Sequence, residues 1–283
     1  MKLSSLAPLN RAIARHDKVA AMEVIFDLIS TEEKAQWREC LARLAIVIDD
    51  GIPLFSVIAI KGNSKLPFAA FSSLPGADFC PGAGECISWC YSPKAWRYPA
   101  AYCRQAQNAW LLGNDAGRHE ILASIDAINA RGKFTAEKPL DFRLYVDGDF
   151  SSIEIVDFWF DALNQRKWLA AYGYSKSFNE ILASTIQAPA NYLLNLSGGH
   201  NHTPEKVKTM RALDITRGEF IAVSMPGKVT SKMHGERSHQ SHLRKVHGGK
   251  AFTCPGKCGT CTPAGHACGS KKFAGIDIII AVH

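Results

Sequence analysis

From Asp141 to Met225 the chain repeats one pattern three times, an apolar run of strand type followed by an amphipathic segment, and then adds a fourth run. DFRLYVDGDF precedes Ser152 to Arg166, WLAAYGYSKS precedes Phe178 to Thr185, and NYLLNLSGG precedes Pro204 to Leu213, with EFIAVSM after them. Parallel neighbours cannot be joined by a tight turn, so each pair needs a crossover, most simply a helix. The rhythm therefore predicts an α/β fold with βαβ units and a parallel sheet, open or closed into a partial or complete (β/α) barrel. In such sheets the loops after the strands form the functional face. Here those loops are short and polar: Asp147-Gly148-Asp149, Ser175-Lys176-Ser177 and Ser197-Gly198-Gly199-His200. A last run of strand type, GIDIIIAVH, occupies 275–283.

The rest of the chain has a different texture. Residues 1–50 read as helical, with apolar residues at i, i+3 and i+4 over Ala20 to Ile29 and Glu32 to Ile48, Ser30 or Thr31 as a helix start, and Asp49-Asp50-Gly51-Ile52-Pro53 as the stop. This predicts an N-terminal helical extension over 1–52 and an α/β domain over 53–283. LFSVIAI and LPFAAFSS are short β-type runs, and Pro99 to Leu112 and Arg118 to Ala130 read as helices. At 283 residues, 47% hydrophobic and 21% charged, the chain can bury a large core.

Eight of the nine cysteines fall into two groups about 150 residues apart: Cys80, Cys86, Cys90 and Cys103, spaced C-x5-C-x3-C-x12-C, and Cys254, Cys258, Cys261 and Cys268, spaced C-x3-C-x2-C-x6-C. The second lies in CPGKCGTCTPAGHAC, where Gly and Pro interrupt every interval, as in a loop wrapped around a bound metal. Zinc takes four sulfurs as a tetrahedron and a cubane takes one cysteine per iron, so spacing points to a metal without naming it. The same spacing also allows sites that mix the groups. Cys103 is placed one or two turns into a helix, and Cys40 reads as a small core residue. Disulfides are the alternative. The N-terminus has no continuous apolar h-region and no apolar run spans a bilayer, which predicts a cytoplasmic, reducing setting without a membrane partner, where clustered cysteines are metal ligands or redox groups.

Other side chains are candidates for chemistry. Asp147 and Asp149 could bind a cation or act as general base, or merely shape a turn and a helix cap around Gly148. His200 and His202 could be ligands or acid–base groups, or precede a helix capped by Thr203 with Pro204 at its first position. Lys94, Arg97 and Arg104, interleaved with Trp89, Tyr91, Trp96, Tyr98 and Tyr102, suit either nucleic-acid contact or the shielding of a cluster. The formal charge is +7, and residues 228–250 carry six Lys or Arg and four His against one Glu, a solvated loop or a phosphate-contacting arm. No Walker loop, dinucleotide fingerprint, HExxH or Gly-x-Ser-x-Gly is present, which removes the usual routes to nucleotide hydrolysis and serine acyl transfer.

The ordered strings NSKLPFAAFSSLPGADFCPGAGECISWCYSPKAWRYPAAYCRQAQN, FRLYVDGDFSS, YGYSKS and the C-terminal cysteine group resemble the phage and plasmid family catalogued as gene product 88, over roughly residues 60–283. That family implies a mobile-element protein and no assigned activity. A more distant similarity is to radical S-adenosylmethionine enzymes, which carry three cysteines after the first strand of a partial barrel. Cys80, Cys86, Cys90 and Tyr91 take the comparable place, with x5 and x3 intervals where that superfamily shows x3 and x2, and Asp147-Gly148-Asp149 is the nearest counterpart of its Gly-Gly-Glu. The expectation is an iron–sulfur protein with one or two [4Fe–4S] clusters that binds or acts on nucleic acid. The alternatives are a radical-type enzyme with an open iron at the Cys80, Cys86 and Cys90 cluster, S-adenosylmethionine being its possible cofactor, or a structural zinc protein; Tyr91, Lys94, Arg97, Gly148, Ser175 and Lys176 are the cofactor-binding candidates.

Overall fold

The computed structural model describes residues 1–60, 66–227, 229–230, 232–259, 261–262 and 265–282. Lys228 and Ser231 of the basic segment, Thr260, Pro263 and Ala264 of the second cysteine loop, and His283 of the last strand-type run lie outside the described residues, as do 61–65.

Seven strands form one sheet with every neighbouring pair parallel: β1 (Ala69–Ala70), β2 (Leu140–Leu144), β3 (Leu169–Ser175), β4 (Tyr192–Ser197), β5 (Thr216–Val223), β6 (Ala251–Thr253) and β7 (Asp277–Ala281), in the order β1-β2-β3-β4-β5-β7-β6. The α/β fold with a parallel sheet is as the sequence predicts. No ladder joins β6 to β1 among the described residues.

The helices are α1 (Ala7–Ala14), α2 (Lys18–Thr31), α3 (Ala35–Asp50), α4 (Pro99–Leu112), α5 (Asp115–Gly132), α6 (Ile153–Gln165), α7 (Phe178–Ala183), α8 (Pro204–Arg211) and α9 (Arg237–His247). Their ends follow local chemistry. Ser152 accepts from Ile155 N–H at the start of α6, and Thr203 accepts from Lys206 N–H before Pro204 at the start of α8. Gly51, at φ 75°, ends α3 in the left-handed region. Ser30 and Thr31 close α2 instead of opening α3, because their hydroxyls bond back to the Asp27 carbonyl.

Side chains alternate across a strand, so each strand serves two layers. Phe142, Leu144, Ala171, Leu194 and Leu196 face one side, against α5, α6, α7 and α8 in the largest apolar core. Ile221 and Ile279 continue that face and pack on α9 through Leu243. The opposite, inner face carries Tyr172, Leu193 and Ile278, and is covered by the second cysteine loop through Ala267 and Cys268. The connection from β6 to β7 is that loop, so a cysteine-rich segment fills the crossover role that helices fill elsewhere. It reaches across to the β1 edge, where Gly259 lies so near Pro67 that a Cβ would come within 2.9 Å of the ring. A separate core joins α1, α2 and α3 to α4.

Two expectations fail here. LFSVIAI is no strand: the Leu54 and Phe55 N–H groups donate to Gln107 Oε1 on α4, and Asn108 Nδ2 donates to the Val57 carbonyl, so buried amides replace a ladder, and a bridge between Ala59 and Ala70 is all that remains. The basic 228–250 segment is not simply a loop, since α9 and the residues before β6 occupy it.

Candidate functional site

A cavity of 540 Å³ opens on the inner face at the C-terminal ends of the strands. Its floor is the inner-facing set Arg143, Tyr172, Tyr174, Ser197, Phe220 and Ile278. Cys80, Cys86 and Cys90 line one side, and Cys254, Cys258, Cys261 and Cys268 line the other. Two groups far apart in sequence therefore face one space, because one loop leaves the edge strand β1 and the other crosses back from β6 to β7.

The first cysteine loop is tied to the loop after β4. Gly84 and Cys86 N–H both donate to the Gly199 carbonyl at 3.0 and 3.3 Å, and Asn201 N–H donates to the Gly82 carbonyl at 3.1 Å. The approach is close enough to require glycine: a Cβ on Gly82 would meet the Lys176 carbonyl, and one on Gly199, whose φ is 74°, would lie 2.9 Å from Cys86 Cβ. Here Ser197-Gly198-Gly199-His200 works as an anchor. His200 packs beside Phe178 and His202 and does not line the cavity, and burial, with His202 next, holds its pKa below the usual value.

The loop after β2 forms the rim. Tyr145, at φ 59° and fully covered, turns the chain out of the strand and is held by Trp159 Nε1 donating to its hydroxyl at 3.1 Å. Asp147 accepts from Gln105 Nε2 at 3.0 Å, and its carbonyl accepts from Ser73 N–H. Asp149 Oδ1 accepts from Ser175 Oγ at 2.6 Å and Phe150 N–H at 2.8 Å, while Oδ2 accepts from Lys176 N–H at 2.7 Å. Burial raises the pKa of both carboxyls against these bonds. Asp149 is thus a latch between the β2 and β3 ends with its oxygens already occupied. Lys176 Nζ donates to Ser197 Oγ at 2.6 Å inside the cavity, and Tyr91 lines it with its hydroxyl 3.3 Å from the Val146 carbonyl. Gly148 lines the rim, whereas Ser175, Lys94 and Arg97 do not line the cavity, and Arg97 lies over the exposed Tyr98 ring.

Burial pushes the Cys80 and Cys254 thiols up to about 12 and Cys268 to about 11, and raises Cys258. The fields of Cys258, Cys261 and Cys268 all reach Cys254. Backbone N–H groups already point at sulfur: Gly256 at Cys254 (3.4 Å) and Ala267 at Cys261 (3.3 Å). Among the described residues no three His, Cys, Asp or Glu side chains stand close enough to hold a metal ion as placed. Cys103 is elsewhere: on α4, a fully buried free thiol hydrogen-bonded to the Cys40 thiol in the helical core, which lowers the Cys40 pKa to about 7. It lies outside the cavity that the other seven line.

With seven cysteines and the Asp147-Gly148-Asp149 rim around one cavity, comparison with known families becomes informative. A family model described as gene product 88 matches residues 56–275. The chain belongs to this family. The gene product 88 span starts after α3 and includes all eight clustered cysteines while leaving Cys40 outside. No curated protein and no solved structure matches the chain. The similarity to radical S-adenosylmethionine enzymes finds no support in these comparisons. Nor is any helix among the described residues long and apolar enough to cross a membrane.

Sequence reasoning missed Arg143, Tyr172, Tyr174 and His266. Arg143 Cζ sits 4.7 Å from the Tyr174 ring centroid, and His266 packs 4.6 Å from Tyr172. A signal existed for Arg143: in Phe142-Arg143-Leu144 the apolar flanks face the core, so period-2 alternation puts the arginine on the other face.

Proposed function

We propose that this is an iron–sulfur protein, with the cavity thiols as ligands of a [4Fe–4S] cluster, Cys80, Cys86 and Cys90 forming one set and Cys254, Cys258, Cys261 and Cys268 the other. The observation that carries this reading is the convergence of seven cysteines from two segments on one cavity at the strand ends. The donor chemistry fits: thiolates with backbone N–H groups directed at sulfur suit a cluster, and apolar and aromatic walls such as Trp89, Tyr174 and Phe220 shield it from solvent. When bound, a cluster would supply one-electron redox chemistry at the floor of the cavity. Membership of the gene product 88 family suggests a phage or other mobile-element setting.

Anaerobic purification followed by a visible spectrum and iron, sulfide and zinc analysis tests the reading. A brown protein with iron and sulfide near four or eight per chain is expected, as one or two cubanes require. A colourless protein holding zinc would replace the reading with a structural metal site.

A second element of function rests on α9 and the residues after it. Arg237, Arg244, Lys245 and Lys250 are exposed while Leu243 is buried against β5 and β7, so the cations point outward and suit a phosphate backbone. Retention on DNA or RNA should fall steeply with salt and be lost in an Arg237→Gln, Lys245→Gln, Lys250→Gln variant. Equal retention of variant and parent would remove nucleic acid as a partner.

A further inference from the structure

The cavity floor contains polar groups that the thiols do not use. Arg143 projects from β2 into the space between the two cysteine groups, and its Nε–H is buried with no hydrogen-bond partner among the described residues. Tyr172, 1% exposed, has its hydroxyl buried without a partner in the same way. They stand beside one another on paired strands, Arg143 opposite Tyr172 in the β2–β3 register. Tyr174 stacks under the guanidinium, and Tyr91 approaches it from the first cysteine loop.

A buried donor without an acceptor is costly and native proteins keep few of them, so each calls for a partner such as a water, an ion or a ligand. A guanidinium keeps its positive charge at any working pH, even when largely buried. Guanidinium and phenol donors directed into a mostly apolar, aromatic-walled space define the missing partner: one anionic head and an apolar body. We propose that the inner face binds a small organic anion, a carboxylate or phosphate ester on an aromatic or aliphatic body, with its head on Arg143 and Tyr172 and its body along Tyr174 and Phe220. The proposal goes beyond metal binding and stands on donors that are not sulfur.

The test uses the full chain purified anaerobically, with metal content measured on every sample. The probe is the fluorescent dye 1-anilinonaphthalene-8-sulfonate, compared with its uncharged relative N-phenyl-1-naphthylamine. The expected result is saturable binding of the sulfonate, displaced by benzoate or phenyl phosphate but not by the neutral benzamide or phenol. Which of benzoate and phenyl phosphate displaces better assigns the head group. Arg143→Gln should weaken the sulfonate by about tenfold, the loss of a charge-assisted contact, and leave the neutral dye unchanged. Displacement by the neutral compounds as strong as by the anions would overturn the proposal, as would equal weakening of both dyes or no weakening of either. The displacement series needs no substitution, so it decides the matter even if Arg143→Gln fails to fold. Loss of anion selectivity in a protein with its iron intact refutes this inference alone and leaves the cluster reading standing.

Discussion

The two faces of the sheet are built from alternate residues of the same strands, yet they obey different rules. Phe142, Leu144, Ala171 and Leu194 meet the helices in an all-apolar layer around Trp159, which is fully buried. One residue over, Arg143, Tyr172, Tyr174 and Asn195 face inward, where the cover is a Gly-rich cysteine loop and the cavity remains. A helix supplies a continuous apolar stripe and closes a face completely, whereas a loop with Gly and Pro at every interval cannot. The lesson is that stability and chemistry are separated by a single step along each strand.

If that separation holds, the largest effect comes from the outer layer. Trp159→Ala should cost about 3–5 kcal/mol, since it empties a large buried volume and frees the Tyr145 hydroxyl. Chemical denaturation measures it, and a loss below about 1 kcal/mol would mean that the outer core is not the stabilising layer. Asp149→Ala should cost about 2–3 kcal/mol by orphaning the Lys176 and Phe150 N–H groups and the Ser175 hydroxyl. It should also loosen the cavity rim, so faster amide exchange at Lys176 would accompany the loss.

The two kinds of cysteine sharpen the comparison at lower energies. Cys103→Ala, in the helical core, should cost about 1–2 kcal/mol and leave the metal content of purified protein unchanged. Cys254→Ser, in the cavity, should lower metal content at similar stability of the metal-free chain. Elemental analysis and melting of both variants check this, and metal loss in Cys103→Ala would return that residue to the ligand set.

The smallest effect is pH-dependent. Burial raises the Asp147 pKa, so its folded state holds its proton to higher pH than the unfolded chain does. Its contribution to stability is present at acid pH and is lost as pH rises from the ordinary carboxylate value through the raised one. Asp147→Asn removes that penalty, so the variant should gain on the parent in melting temperature between pH 4 and pH 7. A gap that does not change with pH would refute the assignment.

Much of the architecture was legible. The alternation from Asp141 to Met225 gave β2 to β5 and the intervening helices to within a few residues, because period 2 and period 3.6 are local properties of the chain. LFSVIAI misled because its apolar pattern is that of a strand, while its partner is a pair of amides on α4 about fifty residues away. Thr203 and Pro204 correctly marked a helix start, but α9 was hidden by a composition of His, Lys and Arg whose only fully apolar anchor is Leu243.

For the site, the cysteine spacing by itself pointed to two thiol groups and left open which groups meet. The tertiary structure decided three things: that seven cysteines border one cavity, that Cys103 turns away to Cys40, and that Arg143 stands between the two groups. Spacing is a one-dimensional quantity, set by which residues follow one another. Convergence depends on strand order, and the order β5-β7-β6, with the cysteine loop as crossover, is a choice that hydrogen bonding and packing make only when the whole sheet assembles.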